Sequence, residues 1–332
     1  MHKNLPPLQA PEKMVELLLR EEYGYLPPPP EHLHFATQEN IVPHFCAGKA
    51  MLHRVNLQMA LCGRTFSFPI YATLPADTGK HPFFILPNFR DNVPDRYLPA
   101  EELVDNGFAV LSFCYTDVTS DDADFTNGLA GVYYANRPRQ PHEAGKIALW
   151  AWAAMRVMDY AQTLPCLDPG RAAICGHSRL GKTALLAGAL DTRFSYVFSN
   201  DSGCSGAALS AGKSGETIAD ICSRFPYWFC ENYKKYADPS LAMPFDQHYL
   251  LALIAPRRLY VASAQNDAWA DPVAEYRGCK AAEAAFKGNR LPEQPPMEPA
   301  AYLDTAIGYH LRAGDHYLSR TDWHYFMQFI QK

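Results

Sequence analysis

Short apolar runs alternate with helical stretches along this 332-residue chain, and that alternation constrains the fold more than any other feature. Residues 81–86 (HPFFIL) lie between Gly79 and Pro87, and residues 107–115 (GFAVLSFCY) follow the helical LPAEELVDN. Residues 171–175 (RAAIC), 196–200 (YVFSN) and 258–264 (RLYVASA) repeat the pattern, with helical stretches at 146–164 and 183–190. Strands buried on both faces read as unbroken apolar runs, so the sequence predicts an α/β fold with a mostly parallel, doubly covered sheet. Residues 41–74 instead alternate apolar and polar positions, which suits antiparallel strands at a sheet edge. Residues 1–30 read as a separate segment, a helix at 11–22 and then a strap ending in Pro27 to Pro30; residues 31–332 form a single catalytic domain.

Charge narrows the partners. Thirty Lys+Arg against 35 Asp+Glu give a net charge of −5, which disfavours nucleic acid and anionic membranes. No run of about 18 apolar residues occurs, so no membrane span is expected. The first residues lack the apolar core of a secretory signal, so a cytoplasmic location is expected, a processed secreted chain being the alternative. The nine cysteines form no CxxC pair and read as reduced small hydrophobes, so neither a structural zinc nor any other metal is expected. The aromatics of RFPYWFCENY read as core. The polar stretch 116–143, with Asp117, Asp121, Asp122 and Asp124, is long enough to be a functional loop.

Residues 176–183, GHSRLGKT, join a buried strand to a helix and admit two readings. They match the phosphate-cradling pattern GxxxxGK[ST], with Lys182 and Thr183 as the phosphate and magnesium contacts. They also place Ser178 on the sharp strand-to-helix turn of a nucleophile elbow, with Leu180 where a small residue is usual and Gly181 one place later. The elbow requires an acid and then a histidine further along. Asp201 and Asp267 each follow a predicted strand, and His316 lies in the C-terminal GYHLRAGDHYLSRTDW. His310, inside the predicted strand, reads as structural. The backbone amide of Arg179, directly after the serine, and that of Phe89, in the loop after HPFFIL, are candidate oxyanion donors.

Five blocks in order, GHSRLGK, SNDSGCSGAA, FPYWFCENYKKYAD, DQHYLLALIAPRRLYVASAQNDAWADP and GYHLRAGDH, together resemble the glucuronoyl esterase family of carbohydrate esterases over residues 80–325. The resemblance implies a three-layer α/β/α sandwich of the α/β-hydrolase type. It also implies a serine esterase without cofactor that cleaves esters of a glucuronate, with a small-molecule or oligosaccharide uronate ester as its partner. Esters of other acylated sugars are the alternative, and the oligomeric state stays open. By the same resemblance Asp201 ranks ahead of Asp267 as the triad acid, and the Arg179 side chain reaches the oxyanion. Lys182 would contact uronate hydroxyls and Trp269 would pack beside the ring. The chain departs from the family at His177, where a cysteine is typical, and at Leu209-Ser210-Ala211, where Trp-Arg is frequent.

Overall fold

Ten strands pair into one mixed sheet, in the computed structural model that describes residues 5–135, 137–288 and 290–332. They are β1 (His32–Gln38), β2 (Ala50–Leu61), β3 (Arg64–Pro75), β4 (His81–Asn88), β5 (Ala109–Cys114), β6 (Leu167–His177), β7 (Tyr196–Asn200), β8 (Arg258–Ala264), β9 (Ala300–Tyr302) and β10 (Ile307–Arg312). Their order is β1-β2-β3-β5-β4-β6-β7-β8-β10-β9. The six strands from β5 to β10 in that order are parallel, and β1–β3 and β9 add antiparallel edges.

The side-chain period of two divides each central strand between two cores. Phe83 and Ile85 of β4 face one core while Phe84 and Leu86 face the other, and β8 repeats this with Leu259 and Val261 against Tyr260 and Ala262. The helices Lys146–Ala161 and Arg179–Leu190 cover the first face; Ala100–Asp105 and Arg320–Gln331 cover the second. The three layers are those of the expected α/β-hydrolase sandwich.

The N-terminal segment is more deeply built in than a surface strap. Residues 1–4 of it lie outside the described residues, but Leu17, Leu18 and Tyr23 join the first core. The reason lies in the helix Lys146–Ala161, of whose 16 residues 14 are buried. A helix apolar all round needs cover on the side away from the sheet. The N-terminal segment supplies it: the Pro28 carbonyl accepts from Trp152 Nε1 at 3.2 Å, and Tyr23 O accepts from the Gly145 amide at 2.9 Å. Gly24 makes the close approach possible, since a Cβ there would lie 2.3 Å from Glu143 O, and its φ of +87° suits glycine.

Beside it, Glu22 is fully enclosed, with both carboxyl oxygens accepting from Gln247 Nε2 at 2.9 and 3.1 Å. Burial pushes its carboxyl up to about 8. The folded chain therefore holds a proton there that the unfolded chain releases above the ordinary carboxylate range. That contribution is fully present below about pH 4.5 and is lost as the pH rises through about 8. Thermal melts across this window should show stability falling with pH, and Glu22→Gln should flatten that fall by on the order of 1–3 kcal/mol between pH 5 and 8. An unchanged slope in the variant would remove Glu22 as its source.

Candidate active site

Ser178 stands between β6 and the helix Arg179–Leu190 with φ 58° and ψ −126°, in the left-handed half of the map that a non-glycine residue occupies only when its surroundings hold it there. Its amide donates to Asn200 O at 2.9 Å, and its hydroxyl makes no capping bond to the helix. Gly176 allows the turn, because a Cβ there would sit 1.9 Å from Leu180 O. Leu180, at the position where small residues are usual, turns into the core and is fully buried, while Gly181 faces Ser202 and the Gly176 carbonyl. The close approach thus falls one residue later than the usual pattern.

His316 lies on the loop after β10 and is 44% exposed at its side chain. Its Nδ1 meets Asp267 Oδ2 at 2.5 Å. This reverses the expected ranking of the two acids. Asp201 Oδ1 accepts from the Ala264 amide at 2.8 Å, and its Oδ2 faces Arg312 Nη2 and the Tyr317 amide, each at 3.3 Å. Its oxygens are taken by a buried cation and two amides, so Asp201 braces the histidine loop and Asp267 orients the ring. Burial, the largest single influence, pushes Asp267 up, but the hydrogen bond and charge of His316 together with the Ala270 amide outweigh it and hold Asp267 below the usual carboxylate range. Ligand atoms of Asp201, Asp267 and His316 lie within 4.8 Å of one another, close enough for a common cation, yet Arg312 already supplies the countercharge.

His310, expected as structural, is buried between Asp322 (2.8 Å) and Tyr260 (3.0 Å). His177, which the sequence marks only as a departure, packs its ring 4.5 Å from that of His316. Burial, with the neighbouring imidazole adding to it, pulls His177 down to about 3, so it is a neutral wall.

A cavity of about 300 Å³ collects Ser178, Arg179, Lys182, Asp201, Asp267, Trp269 and His316. No hydrogen bond links Ser178 to His316 among the described residues; both line this cavity. The Arg179 guanidinium lies 4.8 Å over the Trp228 ring and 5.5 Å from that of Phe225, and its buried Nε has no hydrogen-bond partner among the described residues. Lys182 Nζ donates to the Ser202 carbonyl, with Glu216 near it. Trp269, 48% exposed, forms a lip beneath the Arg224 guanidinium.

Phe89 does not serve as the expected oxyanion donor. Its amide is taken by Asn88 Oδ1 at 2.8 Å, which leaves only its ring near the site. Phe225 and Trp228, which read as core, line the cavity instead, stacked 3.7 Å apart. Glu216 and Arg224 are further lining residues that no sequence motif marks. Neither stands in a spacing pattern, and only the fold brings them to the serine.

A family model described as glucuronyl esterase, fungi, matches residues 57–289. The chain belongs to the glucuronyl esterase family. It is 39% identical over 234 residues to carbohydrate esterase MZ0003 of an unknown prokaryotic organism, covering 69% of this chain and 54% of that one. It is 29% identical over 275 residues to the 4-O-methyl-glucuronoyl methylesterase of Podospora anserina, covering 80% and 52%. The glucuronoyl esterase structure from Solibacter usitatus superposes with a TM-score of 0.87 at 27% identity, over all of this chain and 98% of that one. The chain spans about half the length of the curated relatives it matches.

Membership in the glucuronyl esterases gives the phosphate-cradle reading of residues 176–183 no support. Thr183, the magnesium contact of that reading, is also engaged within the chain, its Oγ1 donating to Arg179 O at 3.1 Å. The different duties of the two aspartates can be separated by stability alone. Asp201→Asn leaves Arg312 its Asp322 partner but disturbs the buried acceptor of the Ala264 and Tyr317 amides and of Arg312, and should cost about 1–3 kcal/mol. Asp267→Asn faces a half-exposed imidazole and should cost under about 1 kcal/mol. Denaturant midpoints of the two variants check this, and equal losses would contradict the division.

Proposed function

We propose that this chain hydrolyses carboxylic esters of a glucuronate or closely related uronic acid through an acyl-enzyme on Ser178. The observation that carries the proposal is the convergence, in one cavity of a glucuronyl esterase family member, of a strained, uncapped serine, an Asp267-bound imidazole and the Arg179 guanidinium. With Nδ1–H held by Asp267, Nε2 of His316 carries the lone pair that accepts the Ser178 proton as Oγ attacks the ester carbonyl. The tetrahedral intermediate then expels the alcohol, which takes that proton from His316. Water repeats the sequence on the acyl-enzyme and releases the uronate.

Negative charge on the carbonyl oxygen develops beside Arg179. As the first residue of its helix it offers an amide with no intrahelical acceptor, and its side chain brings a cation to the same wall. Lys182 and Glu216 supply a donor and an acceptor for sugar hydroxyls, and Trp269 offers a face for the ring. A relative named as a 4-O-methyl-glucuronoyl methylesterase supports the uronate as the acyl group.

Turnover of a methyl glucuronate ester tests the reading. Ser178→Ala should lower kcat/KM by about 10⁴-fold or more. Asp267→Asn should lower kcat by roughly 10³-fold, and Asp201→Asn by less in its folded fraction. Retained hydrolysis by Ser178→Ala would sink the mechanism. Faster cleavage of acetylated sugars than of uronate esters would move the substrate class while leaving the serine chemistry in place.

A further inference from the structure

The long polar loop after β5 sends one carboxylate to the cavity wall. Asp121 Oδ2 accepts from Arg179 Nη1 and from Tyr115 OH, the latter at 2.9 Å, while Oδ1 accepts from Trp228 Nε1 at 2.7 Å. Its own carbonyl accepts from Tyr227 OH at 2.9 Å. Three donors from three separated segments thus converge on a side chain that is only 11% exposed.

The loop that carries Asp121 is itself fastened from below. Lys146, fully buried at the start of its helix, donates to Thr119 Oγ1 at 2.9 Å, Ser120 Oγ at 3.3 Å and Asp124 O at 2.6 Å. Asn127 closes the same turn, with its Oδ1 accepting from the Ser120 amide at 3.0 Å. The carboxylate is therefore fixed independently of the arginine it meets.

An arginine side chain free to rotate is a poor oxyanion donor, because its ordering must be supplied at the moment charge develops. Here Asp121 holds one edge of the guanidinium and the Trp228 ring supports its face at 4.8 Å. Its Nε is buried and has no hydrogen-bond partner among the described residues. An ion pair also draws on the cation's field, so Asp121 trades some of the charge of Arg179 for a fixed direction. In a half-closed cavity direction weighs more, since misplacement by about 1 Å can cost on the order of 10²-fold.

We propose that Asp121 is a positioning residue that fixes the Arg179 guanidinium at the oxyanion wall, acting on kcat through Arg179 and not on substrate binding. The proposal rests on the reading that Arg179 stabilises the oxyanion. Methyl glucuronate hydrolysis by the full chain, in single and double variants, tests it. Arg179→Gln alone should lower kcat by about 10²- to 10³-fold. Asp121→Asn should lower kcat by about 10- to 100-fold with KM changed less than about threefold, and should have under about a twofold effect once Arg179→Gln is present.

Should Asp121→Asn fail to fold, Trp228→Phe removes the indole donor to Oδ1 while keeping an aromatic ring, smaller than the indole, under Arg179. It should lower kcat by about three- to tenfold, again only with Arg179 in place. Equal losses in both arginine backgrounds, or an unchanged kcat, overturn the positioning role while leaving the oxyanion reading intact. An Arg179→Gln variant with full activity overturns that reading and the proposal with it.

Discussion

Arg312 is the fixed point on which the geometry of the site depends. Its Nε donates to both oxygens of Asp322, at 3.0 and 2.9 Å, and its Nη2 reaches Asp201 Oδ2 at 3.3 Å. The same guanidinium donates to the carbonyls of Ala313, Asp315 and Tyr317. Two of those carbonyls flank His316, so the histidine loop is wound around a buried cation. Isolated ions are costly to bury, and only a fully hydrogen-bonded set like this one is tolerated. Asp322 extends the hold to the last helix, where it also forms a capping box with Ser319.

The serine side is held by packing and not by charge. Ser178 keeps an unfavourable φ because β6 and its helix are both buried and the Gly176–Leu180 contact leaves no room to relax. Glu275 joins the two halves from beneath. Its Oε1 accepts from the Gly203 amide at 2.9 Å and from Ser202 Oγ at 3.2 Å, and its Oε2 from Ser263 Oγ at 2.6 Å. It therefore bridges the loop that carries Asp201 to the strand that leads to Asp267. Burial pushes it up to about 7, with Asp267 adding to the shift. A carboxyl that is partly protonated at neutral pH bridges two acidic loops with less repulsion than a full charge would bring.

What the sequence revealed follows the range of the interactions involved. The central strands and the helices behind them were legible because their apolar periodicity is local and strong. The placement of Ser178 and His316 on one cavity was legible because strand, turn and chain order confine them. Other features were decided by contacts that no spacing records. The Phe89 amide is lost to its own neighbour Asn88, a local bond that the motif does not encode. The N-terminal segment is drawn into the core by the outer face of a helix more than a hundred residues away. Phe225 and Trp228 look like any core aromatics until the guanidinium of Arg179 is laid against them.

The choice between the two aspartates is the clearest of these cases. They follow adjacent parallel strands, β7 and β8, and both carboxylates reach the neighbourhood of the imidazole. Position alone therefore leaves either able to orient the ring. The decision belongs to Arg312, 111 residues beyond Asp201, which occupies the oxygen of Asp201 that faces the histidine loop. Asp267 has no such cation: its Oδ1 accepts only the Ala270 amide at 3.1 Å among the described residues, and Oδ2 is left for His316. A buried cation at one position thus assigns the roles of two acids.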